Sequence, residues 1–324
     1  MSVRTEIVQG VHRIDAEVGG RPLYLFALLG ERSLLLDAGC ASTVDEFIAP
    51  ALDELGLALS DLDALVITHS DLDHQGGAHA LKRANPSLWI SCGALDIPLV
   101  RDPETLVSRR YRGYQAEHGF GPDRAALEWM RAESGGPVPI DVGWVGGEVL
   151  SLDPGWNLRV LHVPGHSPGH LALFDERSGA LFAGDCLQGS VYLGLDGRPK
   201  LCPTYTHVDE YLNTAALIES LGPSELHGCH WPPQRGEEVT TFIAETRAYV
   251  EHVDRLVQAG LASEPATLAA LIARVNEQLD PPWSDEIAPE LVYSVHGHAE
   301  RLVASGDAVR STDANGVIVY EVRQ

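Results

Sequence analysis

Between Thr68 and Gly77 the chain reads Thr-His-Ser-Asp-Leu-Asp-His-Gln-Gly-Gly, which puts His69, Asp71, Asp73 and His74 within six residues. Imidazole nitrogens and carboxylate oxygens are the donors that bind divalent first-row cations. Further donors recur in the same kind of setting, after apolar strand-like runs. His166 lies in Gly165-His166-Ser167-Pro168-Gly169-His170, Asp185 in Gly184-Asp185-Cys186, and His230 in Gly228-Cys229-His230-Trp231. Taken singly, any of the 14 histidines is more often a hydrogen-bonded surface or packing residue than a ligand. It is the recurrence of donors at strand ends that points to a metal, and to water made acidic on that metal as the reagent.

Donors so far apart in sequence meet only if the fold brings them together. The run Ala64-Leu65-Val66-Ile67 reads as a strand feeding the first cluster, and a helical pattern through Ala78, Leu81 and Lys82 follows Gly76-Gly77. A strand tip that turns into a helix forms a crevice suited to a metal. Residues 7–37 read as a β-meander ending at Asp37, which serves either as a turn former or as the group that orients a ligand. Residues 138–163 and the pair Leu171–Phe174 and Ala180–Ala183 read as a second β-rich half. Between the halves, residues 95–136 carry Arg101, Arg109, Arg110, Arg112, Tyr111, Tyr114 and His118 at helical spacing. They read as a helical insertion, placed as a lid or as a solvated helical pair. From residue 238 onward, helical patterns over 239–259, 265–279 and 289–305 precede a hairpin around Asp313-Ala314-Asn315-Gly316.

The chain has 324 residues, 44% of them hydrophobic and 21% charged, as in ordinary soluble globular proteins. No stretch reaches the roughly 18 apolar residues of a membrane helix. The N-terminus, Met-Ser-Val-Arg-Thr-Glu, has no signal-like apolar core, so the expectation is a cytoplasmic protein without membrane attachment. Five scattered cysteines with no C-x-x-C spacing fit reduced thiols. A net charge of −23 opposes a nucleic-acid partner, and residues 240–324 carry thirteen Asp/Glu against six Arg and no Lys.

The order of these motifs over residues 7–235 resembles the metallo-β-lactamase fold of glyoxalase II-like metallo-hydrolases, with a variant H-x-D-x-D-H signature in which Asp71 stands where a histidine is usual. The resemblance implies an α/β fold, a four-layer αββα sandwich over residues 1–237 with a helical insertion at 95–136. Residues 238–324 look like a small winged-helix-like α+β domain. Its acidity suits a packing, pocket-closing or homodimer-forming role rather than DNA reading. The resemblance also implies two divalent cations. His69, Asp71 and His166 would hold the first, Asp73, His74 and His230 the second, and Asp185 would bridge them. Asp73 and Asp185 are the residues expected to take part in catalysis, Asp73 by orienting a bridging hydroxide. Zinc is the expected metal, and the harder Asp71 carboxylate shifts preference toward iron or manganese.

Four functions follow from this. The leading one is hydrolysis of a small ester, thioester or lactone. The alternatives are an iron-dependent oxidoreductase of the same fold, a ribonuclease, and a non-catalytic binding protein. Among neighbouring residues, His170 and His227 are expected beside the ligands rather than among them, and His79 on the helix after Gly77. Cys186 and Cys229 are expected as buried thiols pointing away. Tyr192, Tyr205 and His207 are candidates to border the pocket.

Overall fold

A computed structural model describes residues 4–323. Two β-sheets lie face to face. The first sheet begins with the meander β1 (Arg4–Val8), β2 (Val11–Val18), β3 (Arg21–Leu29) and β4 (Ser33–Leu36). After the short helix α1 (Ala49–Asp53) it continues with β5 (Ala64–Ile67). The helices α2 (Leu72–Gln75) and α3 (Ala78–Ala84) then lead to β6 (Trp89–Gly93). The insertion supplies α4 (Ile97–Arg101), α5 (Pro103–Leu106), a wide helical turn at Val107–Tyr111, α6 (Gln115–His118) and α7 (Arg124–Glu133) before β7 (Val142–Trp144). The sheet runs in chain order from β1 to β7, antiparallel as far as β4 and parallel from β4 to β7.

The second sheet contains β8 (Val149–Asp153), β9 (Trp156–His162), β10 (Leu171–Asp175) and β11 (Ala180–Gly184). A small pair, β12 (Tyr192–Leu193) and β13 (Pro199–Leu201), and helix α8 (Val208–Leu221) precede β14 (Glu225–Gly228) and β15 (Gln234–Arg235). Strand β14 returns parallel to β11, so β9, β11 and β14 all point the same way. The chain ends with α9 (Glu237–Ser263), β16 (Ala266–Thr267), α10 (Leu268–Gln278), α11 (Val292–Ser305), β17 (Ala308–Thr312) and β18 (Ile318–Val322). The last three strands form a sheet of order β16-β18-β17.

The layering follows from alternation along the strands. In β4 and β5, Leu34, Leu36 and Val66 face the second sheet and pack with Leu158, Val160, Leu171, Leu173 and Phe182. Leu35, Leu65 and Ile67 face outward and are covered by Val44, Ile48, Leu52 and Leu81 from the helical side. On the far side, Leu181, Ala183 and Leu226 bury against Ala215 and Ile218 of α8 and Phe242 and Ile243 of α9. The result is the four-layer αββα sandwich, an open stack of mixed sheets rather than a barrel. Helix α9 joins two cores. Its first half packs on the sandwich, while Tyr249, Val250, Val253 and Val257 join α10, α11, Tyr205 and Tyr211 in a separate cluster.

The fold places five loops together. Strands β4, β5, β9, β11 and β14 share a direction, and their carboxyl ends are followed by Asp37, His69, His166, Asp185 and His230. A crevice beyond strand carboxyl ends is where α/β sheets bind ligands. Close approach explains the second of the two glycines after His74 and Gln75. A Cβ at Gly77 would lie 2.2 Å from the Ala38 carbonyl oxygen, so only glycine lets the helical turn carrying His74 seat on the loop after β4. Among the described residues no helix is long and apolar enough to cross a membrane.

Candidate metal centre

All seven donors named from the sequence reach one cleft. His230 Nε2 lies 3.4 Å from Asp73 Oδ2 and 3.5 Å from Asp185 Oδ2, and His74 Nε2 lies 3.9 Å from Asp185 Oδ1 and 4.0 Å from Asp73 Oδ1. On the other side, Asp71 Oδ2 lies 3.0 Å from His166 Nε2 and 3.9 Å from His69 Nε2. Donor atoms of His69, His74 and Asp185 also lie within 4.8 Å of one another, which links the two halves. A cation with bonds near 2.1 Å separates its ligand atoms by roughly this much.

The imidazoles are held from behind. His74 Nδ1 is 2.9 Å from Asp37 Oδ2, His230 Nδ1 is 2.8 Å from the Pro22 carbonyl oxygen, and His69 Nδ1 is 3.0 Å from Thr68 Oγ1. Thr68 Oγ1 donates to Asp37 Oδ2 at 2.8 Å, so it accepts from His69. An acceptor behind Nδ1 leaves the Nε2 lone pair free for a metal. The fit is tested by the groups left over: His69 Nε2, His74 Nε2 and Asp185 Oδ1 are buried, belong to residues whose donors group together, and have no hydrogen-bond partner. Three stranded polar atoms side by side carry a large desolvation cost unless a cation takes them.

Charge is distributed to match. Burial pushes the His69 imidazole well below its usual range, helped by His74, His166 and His170, so it stays neutral. Burial pushes Asp71 the other way, but Arg110 and His166 hold its carboxyl well below the usual carboxylate range. The Arg110 contact is a fork, with Nε 2.9 Å from Asp71 Oδ1 and Nη2 3.1 Å from Oδ2. Bidentate pairing of this kind is among the strongest side-chain contacts. The negative charge that Asp71 was expected to add to the site is met by Arg110 from the insertion.

The neighbouring residues sort clearly. His170 stacks on His69 at 4.6 Å between ring centroids, and its Nε2 accepts from the Asp185 backbone N–H at 3.0 Å. His227 pairs with Glu225, and His79 faces the Pro137 carbonyl oxygen. Tyr192 donates from its hydroxyl to Asp185 Oδ2 at 2.9 Å and borders the cleft. Tyr205 is turned away and bonds His298, and His207 is exposed outside the lining. Cys186 and Cys229 are buried, but Cys229 does not point fully away. Its Sγ lies 3.7 Å from Asp37 Oδ2, behind His74, and burial pushes the thiol up to about 12.

Sequence reasoning missed Gln188, Arg21 and Glu290. Gln188 touches His166 and Tyr192, and Arg21 and Glu290 line the cleft wall. None of them stands in a metal-type motif, and Glu290 reaches the cleft from the turn before α11 across the whole molecule. The insertion also closes on the cleft, through Arg110, Tyr111, Trp129 and Met130.

Comparison with known proteins agrees with this geometry. The chain is 32% identical over 148 residues to a hydroxyacylglutathione hydrolase of Haemophilus influenzae, covering 45% of this chain and 58% of that one. It is 22% identical over 286 residues to the beta-lactamase-like protein 2 homolog of Drosophila melanogaster, covering 86% and 80%. A match to an atrochrysone carboxyl ACP thioesterase of Aspergillus fumigatus reaches 25% over 223 residues, covering 68% and 54%. The chain thus spans little more than half the length of two of these three relatives. In structure it is similar to a metallo-beta-lactamase family protein of Thermus thermophilus, with a TM-score of 0.76 at 21% identity over 98% of this chain and 100% of that one. A sequence model of the Metallo-beta-lactamase superfamily matches residues 18–230, and the chain belongs to that superfamily.

Proposed function

We propose that the protein is a metal-dependent hydrolase of a small ester, thioester or lactone. The observation that carries this reading is the convergence of three unpartnered buried donors, His69 Nε2, His74 Nε2 and Asp185 Oδ1, beside the cleft that Asp185, Asp73 and His230 line. Asp73, His74 and His230, with Asp185 beside them, would hold the cation, and zinc suits that nitrogen and oxygen set. A bound divalent cation supplies an acidified water and polarises a carbonyl. Asp73, turned to the same space, would orient that water. Tyr192 holds Asp185 through its hydroxyl and keeps one oxygen of that carboxylate directed into the cleft.

The cleft walls suit a small, partly apolar substrate. Trp129, Met130, Leu201 and Tyr111 supply apolar surface on one side. Arg21 supplies a cation at the cleft wall, 4.0 Å from Asp73 Oδ2 and close enough to act on the buried Glu290, and its Nε is buried without a hydrogen-bond partner. That arrangement favours a substrate bearing a carboxylate near the scissile bond. The names of the hydroxyacylglutathione hydrolases and of the thioesterase place a thioester first in the panel to be tried. An oxidoreductase reading rested on the charge of Asp71, which Arg110 neutralises, and a ribonuclease reading is opposed by the acidic surface.

The test is hydrolysis of matched thioester, ester and lactone substrates by the purified protein, before and after treatment with a chelator. Hydrolysis that the chelator abolishes and zinc restores is the expected result. Oxygen consumption with iron bound, or turnover indifferent to the chelator, would overturn the reading.

A further inference from the structure

The two halves of the centre differ in what stands behind their donors. For His74 and His230, and for His69 through Thr68, the group behind Nδ1 is an acceptor. His166 is different. Its Nδ1 faces the Gln188 side-chain amide at 3.0 Å, and the orientation of that amide is fixed twice. The Thr204 backbone N–H donates to Gln188 Oε1 at 2.9 Å, so Oε1 must point to Thr204 and Nε2 to His166. The same Nε2 lies 2.6 Å from the Tyr192 hydroxyl oxygen, whose own proton is committed to Asp185. Gln188 therefore donates to His166 Nδ1, and the His166 ring carries its proton on Nε2. That N–H points at Asp71 Oδ2, 3.0 Å away. A ring in this tautomer has no lone pair to offer a metal in the cleft.

Asp71 is occupied as well. Both of its oxygens accept from Arg110, and Oδ2 accepts from His166 in addition. Arg110 is not free to swing off. Its Nη1 donates to Thr206 Oγ1 at 3.2 Å, and its guanidinium lies 4.2 Å from the centre of the Tyr293 ring of α11. The guanidinium is thus a fixed cation beside the place where the fold would put a metal, and it repels a second cation directly.

We infer that the centre is asymmetric. One divalent cation binds tightly among Asp73, His74 and His230, with Asp185 beside them. On the other side, Arg110 supplies the positive charge that a second cation would otherwise bring to Asp71 and His166. The Gln188–His166–Asp71–Arg110 chain is then a continuous hydrogen-bonded network in its own right. This rests on the metal-binding part of the proposed function and is independent of the substrate.

Metal-free protein titrated with cobalt(II) or zinc against a chromophoric chelator, with metal content read by mass spectrometry, decides it. One equivalent bound at least about 100-fold more tightly than any second is the expected result. Two equivalents of similar affinity overturn the inference and leave the hydrolase reading standing, whereas no bound metal overturns both. The R110Q/Q188E pair removes the guanidinium and gives His166 Nδ1 an acceptor. It is expected to tighten the second equivalent by about 10-fold or more. A second equivalent unchanged or weakened in that variant counts against the inference. The wild-type titration decides alone if the variant does not fold.

Discussion

Asp37 carries more of the centre than its position outside the cleft suggests. It is the one non-glycine residue among those described with a positive φ, at 62°. Its Oδ1 accepts from the Thr68 backbone N–H at 2.7 Å, and its Oδ2 takes the Thr68 hydroxyl at 2.8 Å and His74 Nδ1 at 2.9 Å. Asparagine tolerates the left-handed region nearly as well as aspartate, so D37N tests the side chain without straining the backbone. The amide oxygen keeps the bond to Thr68 N–H, and an NH2 group replaces Oδ2. That NH2 can only donate, so His74 must accept at Nδ1 and carry its proton on Nε2, the atom aimed at the metal. Both charge-assisted hydrogen bonds at Oδ2 are lost, the one to His74 worth about 1.5–3 kcal/mol. The corresponding loss of metal affinity is about 10- to 100-fold. Competition against a chromophoric chelator at fixed pH measures it, and melting of the metal-free variant checks that the fold survives. A D37N protein whose affinity stays within about twofold of wild type would refute the assignment of His74 as a ligand oriented by Asp37.

Arg21 is expected to set charge preference: R21Q should lower kcat/KM for a carboxylate-bearing ester about 10- to 100-fold relative to its neutral methyl ester. Equal loss on both esters would speak against that role. Trp129 is 45% exposed on α7, which buries none of its own residues. W129A should change stability by less than about 0.5 kcal/mol in urea titrations while raising KM several-fold, and an unchanged KM would show that the insertion does not touch substrate. His296 packs between Tyr114 and His118 of the insertion, and burial, opposed by Glu300 and assisted by His118 and Arg310, lowers it to about 4. With the folded value below the unfolded 6.5, its contribution is fully present above pH 6.5 and is lost as pH falls through 4. The cost by pH 4 is about 3 kcal/mol, so H296Q should flatten the stability profile between those values, as read by melting temperature across pH.

The sandwich and its donors were legible because both depend on local pattern. Alternation in Leu34-Leu35-Leu36 and Leu65-Val66-Ile67 marks strands buried on both faces, and donors immediately after such runs mark the carboxyl edge. The helical character of residues 97–133 was also readable from spacing. What was hidden is pairing across sequence. Nothing in Tyr-Arg or Arg-Arg-Tyr says that Arg110 crosses 39 residues to grip Asp71, or that Gln188 stands 22 residues from His166 with its amide toward the ring. Those contacts decide how Asp71 behaves, and ligand hardness alone, which shifts preference toward iron or manganese, says nothing of them. Tyr192 was readable as a residue bordering the pocket, but not as the partner of Asp185, to which the loop before β12 folds it back.

The most direct measurement couples metal to turnover. Chelator-stripped protein is titrated with zinc while thioester hydrolysis and bound metal are followed in the same sample. Activity that rises in step with the first equivalent, and is lost in H74A and H230A together with the metal, is the predicted outcome. Full activity in metal-free protein, or tight metal binding that survives removal of both histidines, would contradict the placement of the reaction at these converging strand ends.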